Sequence, residues 1–264
     1  MFKKLQSLNS QTHKNLKFSP IQPYHFAAAQ VLIPVSAAEA FMAAREYVLV
    51  FGNESQDQLF AITGLQPGKN DYVASSGHWL GRYVPSHIRR YPFIFAESPR
   101  QEQQSDSERQ YVIQFDSEAP HLQQEDGEAL FDEQGKDTAM MERIKNILIN
   151  VQQNFDRTAF LVDQIYQTGI LKTDSLTVQS DGAEPKQVTG FRTVDLEKFH
   201  ALSGEQLAAL RETGALAMIY AHLLSLSNLH DSVLATASSQ STEAYKGGND
   251  TLSFEGIDWS KFDS

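Results

Sequence analysis

Between Thr138 and Gly169 apolar side chains return every three or four residues, at Met141, Ile144, Leu148, Val151, Phe155, Ala159, Val162 and Tyr166. That period draws one stripe along an α-helix of about eight turns. Asp137 or Thr138 can cap its start, and Gly169 stands where a left-handed glycine ends a helix. A helix this amphipathic must lay its stripe on other parts of the chain, so the flanking sequence has to supply the surfaces that cover it.

Ahead of the helix the pattern is mostly β. Gln30 to Val35 is rich in β-branched residues and closes near Pro34, which predicts a strand. Ser36 and Glu39 have capping-box spacing, so a short helix is expected through Arg45. Tyr47–Phe51 and Leu59–Thr63 read as a hairpin, and Tyr91–Phe95 and Tyr111–Phe115 as two strands across a polar loop at 97–110. Beyond the helix, Leu176–Gln179 and Gln187–Phe191 flank the turn residues Ser180 to Pro185. Asp195 can cap a helix through Phe199, and Ser203 with Gln206 starts another, broken near Gly214 before an apolar helix from Ala215 to Leu229.

The expected class is therefore α+β. A β-rich N-terminal region (1–135) packs with a mainly helical region carrying one hairpin (136–234), and the two can form a single domain. Residues 235–264 follow as a tail, rich at first in Ala, Ser, Thr and Gly and read as flexible. It ends in an aromatic motif whose Phe254, Trp259 and Phe262 stand among acids, the pattern of a segment that docks on a partner or on its own domain.

Several function classes drop out. With no cysteine there is no disulfide framework, thiolate metal site or cysteine nucleophile. A net charge of −11 opposes nucleic-acid binding. The longest apolar run, Ala215 to Leu226, is interrupted by His222 and Ser225 and is too short for a transmembrane span. The start, Met1-Phe2-Lys3-Lys4, lacks the apolar stretch of a secretory signal, so the cytoplasm is the expected compartment. No Gly-x-Gly-x-x-Gly follows a strand, and Gly64 to Asn70 carries Pro67 where a phosphate loop needs an amide. His222 and His230 stand eight apart, the wrong interval for a helical metal pair. No cofactor, no metal and no catalytic residue are expected, and the reading leans away from an enzyme.

Charge is unevenly spread. Residues 1–96 carry nine Lys/Arg against five Asp/Glu, whereas 97–137 carry three against twelve. The acidic section reads as solvated loops. The densest cationic and aromatic group is Arg82, Tyr83, His87, Arg89, Arg90 and Tyr91, bracketed by Pro85 and Pro92. Guanidinium forks suit carboxylates and phosphates, so this is the candidate binding segment; the alternative is that its arginines pair with the acidic section that follows.

Two stretches carry a family pattern: Leu65 to Asn70 running into Trp79-Leu80-Gly81-Arg82-Tyr83-Val84-Pro85-Ser86-His87-Ile88-Arg89-Arg90-Tyr91-Pro92-Phe93, and Ile219 to Leu229. With Ala44-Arg45-Glu46-Tyr47 and Leu130 to Gly135 in the same order, residues 1 to 232 resemble the SapC family. The resemblance implies a bacterial protein linked by name to the surface layer. Its relatives are encoded near outer-membrane receptors and flavoproteins similar to tryptophan halogenases, which implies a supporting role in nutrient uptake or modification. The leading expectation is a non-catalytic binding or adaptor protein with a protein partner or a small anionic ligand. The competing readings are an enzyme or enzyme subunit acting on a small acidic metabolite or peptide, with His87 or His222 handling protons, and a surface-layer structural component.

Overall fold

The computed structural model describes residues 1–20, 23–53, 56–97, 111–123, 125–178, 186–229 and 232–234. In chain order the elements are β1 (Leu5–Ser7), β2 (Lys17–Phe18), β3 (Leu32–Val35), α1 (Ala40–Ala43), β4 (Val48–Gly52), β5 (Leu59–Ile62), α2 (Ser86–Arg89), β6 (Phe93–Glu97), β7 (Tyr111–Asp116), β8 (Leu122–Gln123) and β9 (Glu128–Ala129). The long helix α3 (Ala139–Gln167) comes next, then β10 (Leu171–Val178), β11 (Lys186–Val194), α4 (Leu196–His200), α5 (Gly204–Thr213) and α6 (Ala215–Ser225). Sheets lie mainly in the N-terminal half and helices in the C-terminal half, the expected α+β arrangement. Among the described residues no helix is long and apolar enough to cross a membrane.

One antiparallel sheet runs β10-β11-β4-β5-β3 and so takes strands from both sides of α3. Pro34 lies in β3, an edge strand, where a residue without an amide hydrogen leaves no central ladder bond unmade. Two three-stranded sheets, β1-β7-β6 and β8-β2-β9, complete the β part. The short strands β1, β2, β8 and β9 have no signal in the sequence, since two or three residues are too few to show a period. The hairpin β10–β11 is longer than its apolar cores predict and has a register shift between Asp174 and Leu176; its turn, like most of the 97–110 loop, lies outside the described residues.

Helix α3 joins two cores. Its first half sets Met140, Met141, Ile144 and Leu148 against Phe93, Phe115, Leu130 and Phe131. Its last turns set Leu161, Val162 and Ile165 in the main core around β4, β5 and α6. Thr138 caps it, accepting from the Met141 amide at 3.3 Å, and Gly169 adopts φ +72° just past its end. The buried stripe departs from the expected one: Met140, Thr158, Leu161 and Ile165 are also buried, while Tyr166 is exposed and Ala159 only half-buried. The strict three-four alternation continues through Thr158 because its hydroxyl is satisfied there, donating to Asn154 O at 2.6 Å and accepting the Ala37 amide at 2.7 Å. Tyr166 lies instead beneath the Arg192 guanidinium, 4.9 Å from its ring centre.

Strand β4 is buried along its whole length, as its unbroken apolar run requires. Next to β5 it is fully paired, but β11 joins it only at Phe51 and Gly52 and then diverges. Side chains of the C-terminal helix fill that gap. His222, fully buried, donates Nδ1–H to Leu49 O at 2.7 Å and accepts the Val194 amide on Nε2 at 3.2 Å, bridging the two strands where their ladder stops. Ser225 accepts the Leu49 amide at 2.9 Å and donates to His222 O. Asn228, in the 3-10 turn Leu226–Leu229, donates to Ala44 O and Tyr47 O at 2.7 and 2.9 Å. These polar residues in an apolar helix are therefore core partners of the backbone, which explains why the run contains them.

Removing the His222 ring would leave Leu49 O and Val194 N without partners, so His222→Ala is expected to lower the unfolding free energy by about 3 kcal/mol, read from urea denaturation. Burial holds the imidazole neutral down to about pH 4, whereas an unfolded histidine protonates near 6.5. The unfolded chain thus takes up this proton first. The stability that this group contributes is fully present above about pH 6.5 and is lost as pH drops toward 4, which contributes a fall in stability across that window. In His222→Ala that fall should shrink without vanishing, because His87 is held down to about 3 and titrates across the same window.

Candidate functional site

The segment from Trp79 to Phe93 is fixed by carboxylates that approach it from α1 and its leading turn. Ser36 and Glu39 form the expected capping box around the 3-10 turn Ala37–Glu39 that precedes α1. The same Glu39 carboxylate then reaches across the chain. It accepts the Ser36 amide and hydroxyl at 3.2 and 2.8 Å, the Ser86 amide and hydroxyl at 2.7 and 2.6 Å, and the Tyr83 hydroxyl. Burial opposes its charge, but the bonds from Ser86, Tyr83 and Ser36 outweigh that and hold its pKa below the ordinary carboxylate value. With every lone pair occupied, Glu39 acts as a structural acceptor; a proton-transfer role would require some of those donors to leave.

Glu46, directly after α1, performs the matching task one corner earlier. Its Oε2 accepts the Arg82 amide at 2.6 Å and the Tyr83 amide at 3.2 Å. Tyr47 donates to Tyr83 O and accepts the Trp79 indole N–H at 3.0 Å. Gly81 is required by this crowding: a Cβ there would stand 2.7 Å from Glu46 Oε2 and 2.8 Å from the Tyr47 hydroxyl. The backbone of the segment is thus pinned on its inner side by two acids and a tyrosine, none of which stands out as a site residue in the sequence. Glu39 is legible there as a cap; its second set of bonds, 47 residues along the chain, has no local signal.

The six expected site residues do not converge on one point. Arg82 is exposed, and its backbone amide donates to Glu46. Arg89 is also exposed, but constrained: its Nε donates to Val84 O at 2.9 Å, its Nη2 to the Tyr83 hydroxyl at 3.3 Å, and its guanidinium lies 5.6 Å from the Tyr83 ring centre. One nitrogen of Arg89 stands 3.6 Å from Glu39. Among the described residues the acid paired with Arg89 is Glu39. Tyr83 itself is half-buried, and burial together with the Glu39 charge raises its pKa.

His87 and Arg90 turn the other way, toward α3. Arg90 Nη2 lies 3.0 Å from His87 Nδ1, and both rest on the Phe155 ring. Burial first and the neighbouring Arg90 charge second keep His87 neutral, while burial lowers Arg90 to about 10. Tyr91 is buried, stacked on Phe26 with ring centres 3.9 Å apart. Its hydroxyl donates to Asp116 Oδ2 at 2.9 Å, an acid that also accepts the Lys3 and Lys4 amides at 2.9 and 3.0 Å. The aromatic tail residues Phe254, Trp259 and Phe262 lie outside the described residues, as does His230. Among the described residues no group of three or more His, Asp or Glu is placed to hold a metal ion.

If Glu39 is the keystone of this segment, Glu39→Ala should strand the Ser86, Tyr83 and Ser36 donors and cost on the order of 3 kcal/mol. Tyr83 would ionise at lower pH once the acceptor and its charge are gone, a change that a spectrophotometric tyrosine titration of the variant against wild type reads directly. An unchanged titration would mean that the hydroxyl is held by something else.

No curated protein and no solved structure matches the chain. The family model of SapC matches residues 8–231, a span that contains both the Trp79–Phe93 segment and the helix with His222, and the chain belongs to the SapC family.

Proposed function

We propose that this protein is a non-catalytic binding or adaptor protein that uses the outer side of the Arg82–Tyr91 segment to hold an acidic group of a protein partner, in support of nutrient uptake or another surface-associated process. The observation that carries this reading is the division of labour within the segment. Its inner side is engaged by Glu39, Glu46 and Tyr47, while Arg82 and Arg89 remain exposed on a backbone that those bonds hold in one shape. The Arg89 guanidinium, held by Val84 O and Tyr83, suits a carboxylate because little side-chain entropy is left for it to lose on binding, and Arg82 adds an exposed charge. Arg90, His87 and Tyr91 support the segment from beneath.

An enzyme would need a group free to take and return a proton beside the arginines. His222 has both ring nitrogens engaged with backbone partners, and Glu39 is saturated with donors. Those engagements favour binding over catalysis.

The test is affinity capture from the native cells with the full-length chain, identified by mass spectrometry, comparing wild type with Arg82→Ala/Arg89→Ala and with Arg143→Ala. Arg143 is an exposed arginine on α3 paired with Glu128, so it controls for charge alone. A partner depleted about tenfold or more by the double substitution and retained by Arg143→Ala is expected, since two interface arginines typically carry that much affinity. Equal capture by all three proteins would refute the assignment, and a small carboxylate or phosphate that binds wild type but not the double variant would replace the protein partner with a small ligand.

A further inference from the structure

Two cationic or titratable residues of the Arg82–Tyr91 segment take no part in its outer side. His87 lies in α2 and Arg90 ends it, three positions on, so the two share one side of the turn. Both meet α3 there: the Phe155 ring centre is 6.2 Å from that of the imidazole and 5.9 Å from the Arg90 guanidinium carbon. Arg90 Nη2 stands 3.0 Å from His87 Nδ1. A guanidinium can only donate, so Nδ1 accepts, and the neutral imidazole carries its proton on Nε2. That bond uses the one acceptor lone pair the two side chains possess. All they can still offer a neighbour is N–H.

The charge of Arg90 has no opposite within the fold. Arg89 reaches Val84 O and Glu39, Arg143 reaches Glu128, Arg157 reaches Thr213 O, and Arg192 reaches Gly52 O and Asn53 O, so each of these guanidinium groups meets oxygen. Among the described residues Arg90 meets only the imidazole nitrogen, and its Nε is buried without a partner. Burial lowers its pKa to about 10, and no neighbouring acid opposes that shift. A cation drawn out of water is costly unless a negative group accompanies it. Arg90 and His87 are each half-buried, so part of the pair is open to solvent and a small ion can reach it. A pair that holds a positive charge, has donors and lacks acceptors selects the reverse: a negative charge with acceptors. Water can accept a bond but brings no charge.

We infer that His87 and Arg90 bind a small oxyanion, phosphate or a carboxylate, between α2 and α3, at a site separate from the outer arginines. The guanidinium fork is its principal donor, and the ion supplies the negative charge that the fold does not place there. Because the pair stands on α2 and leans on α3, an ion that binds only the folded chain also stabilises that packing.

The test titrates the full-length, nitrogen-15-labelled protein with sodium phosphate and, separately, sodium acetate, against sodium chloride at equal ionic strength. Nuclear magnetic resonance follows the arginine Nε–H signals, that of Arg90 being the one missing from Arg90→Lys, and the backbone amides of residues 86–91. The expected result is a saturable shift with phosphate or acetate and none with chloride. The dissociation constant should be on the order of 1 mM, as a few donors and one partly desolvated charge supply. Whichever oxyanion binds more tightly identifies the class. Arg90→Lys keeps a charge beside Phe155 without the fork and should weaken binding about tenfold, read on the amides. Arg82→Ala/Arg89→Ala should bind as wild type does. If Arg90→Lys does not fold, the wild-type amides and the double variant still decide the matter. Equal shifts in all three salts, or none in any, overturn the inference. Binding that vanishes in Arg82→Ala/Arg89→Ala places the ion on the outer side and overturns it too. Failure here leaves the functional reading standing, because capture of the partner depends on Arg82 and Arg89 and not on Arg90.

Discussion

Strand β4 lacks a complete neighbour on one side, and the polar row of the C-terminal helix supplies what is missing. His222 and Ser225 take the Leu49 carbonyl and amide, and Asn228 takes the carbonyls of Ala44 and Tyr47. Unpaired backbone groups at the centre of a core would each cost a few kcal/mol, so the row fixes where β4 begins as firmly as a paired strand would. Tyr47 is the consequence that matters for the site. Its backbone is held by Asn228, and its hydroxyl meets Tyr83 O and the Trp79 indole. The two stretches that carry the resemblance in the sequence thus meet, physically, at one tyrosine: Ile219–Leu229 positions it, and Trp79–Phe93 is positioned by it.

The local part of this design is legible in the amino-acid sequence. Caps at Ser36, Thr138, Asp195 and Ser203, the glycine stops at 169 and 214, and the hairpin of β4 and β5 all follow from residues within a few positions of one another, where side-chain and backbone chemistry decide the outcome. What is not legible depends on distant partners. Thr158 is polar and still belongs in the stripe, because Ala37, far earlier in the chain, donates to it. Glu39 is a cap by sequence and a tertiary acceptor by structure, since nothing near it announces Ser86. The cationic segment is legible as a cluster but not as a divided one, because which arginine faces α3 and which faces out is set by the turn of α2 and by Phe155.

That division gives the two outward arginines unequal roles. Arg89 is held by Val84 O, the Tyr83 hydroxyl and the Tyr83 ring, so its fork points in one direction and suits only a carboxylate arriving along that line. Arg82 is exposed, with its fixed bond made by the backbone, so its charge can follow an approaching group. The chain as a whole carries −11, which repels acidic partners at long range, yet at ordinary ionic strength charges more than about 8 Å apart are largely screened from one another. An acid delivered to within that distance of Arg82 or Arg89 would feel chiefly the local charge. In the proposed binding role, selectivity would fall to groups whose shape brings them close, with Arg82 drawing them in and Arg89 deciding whether they fit.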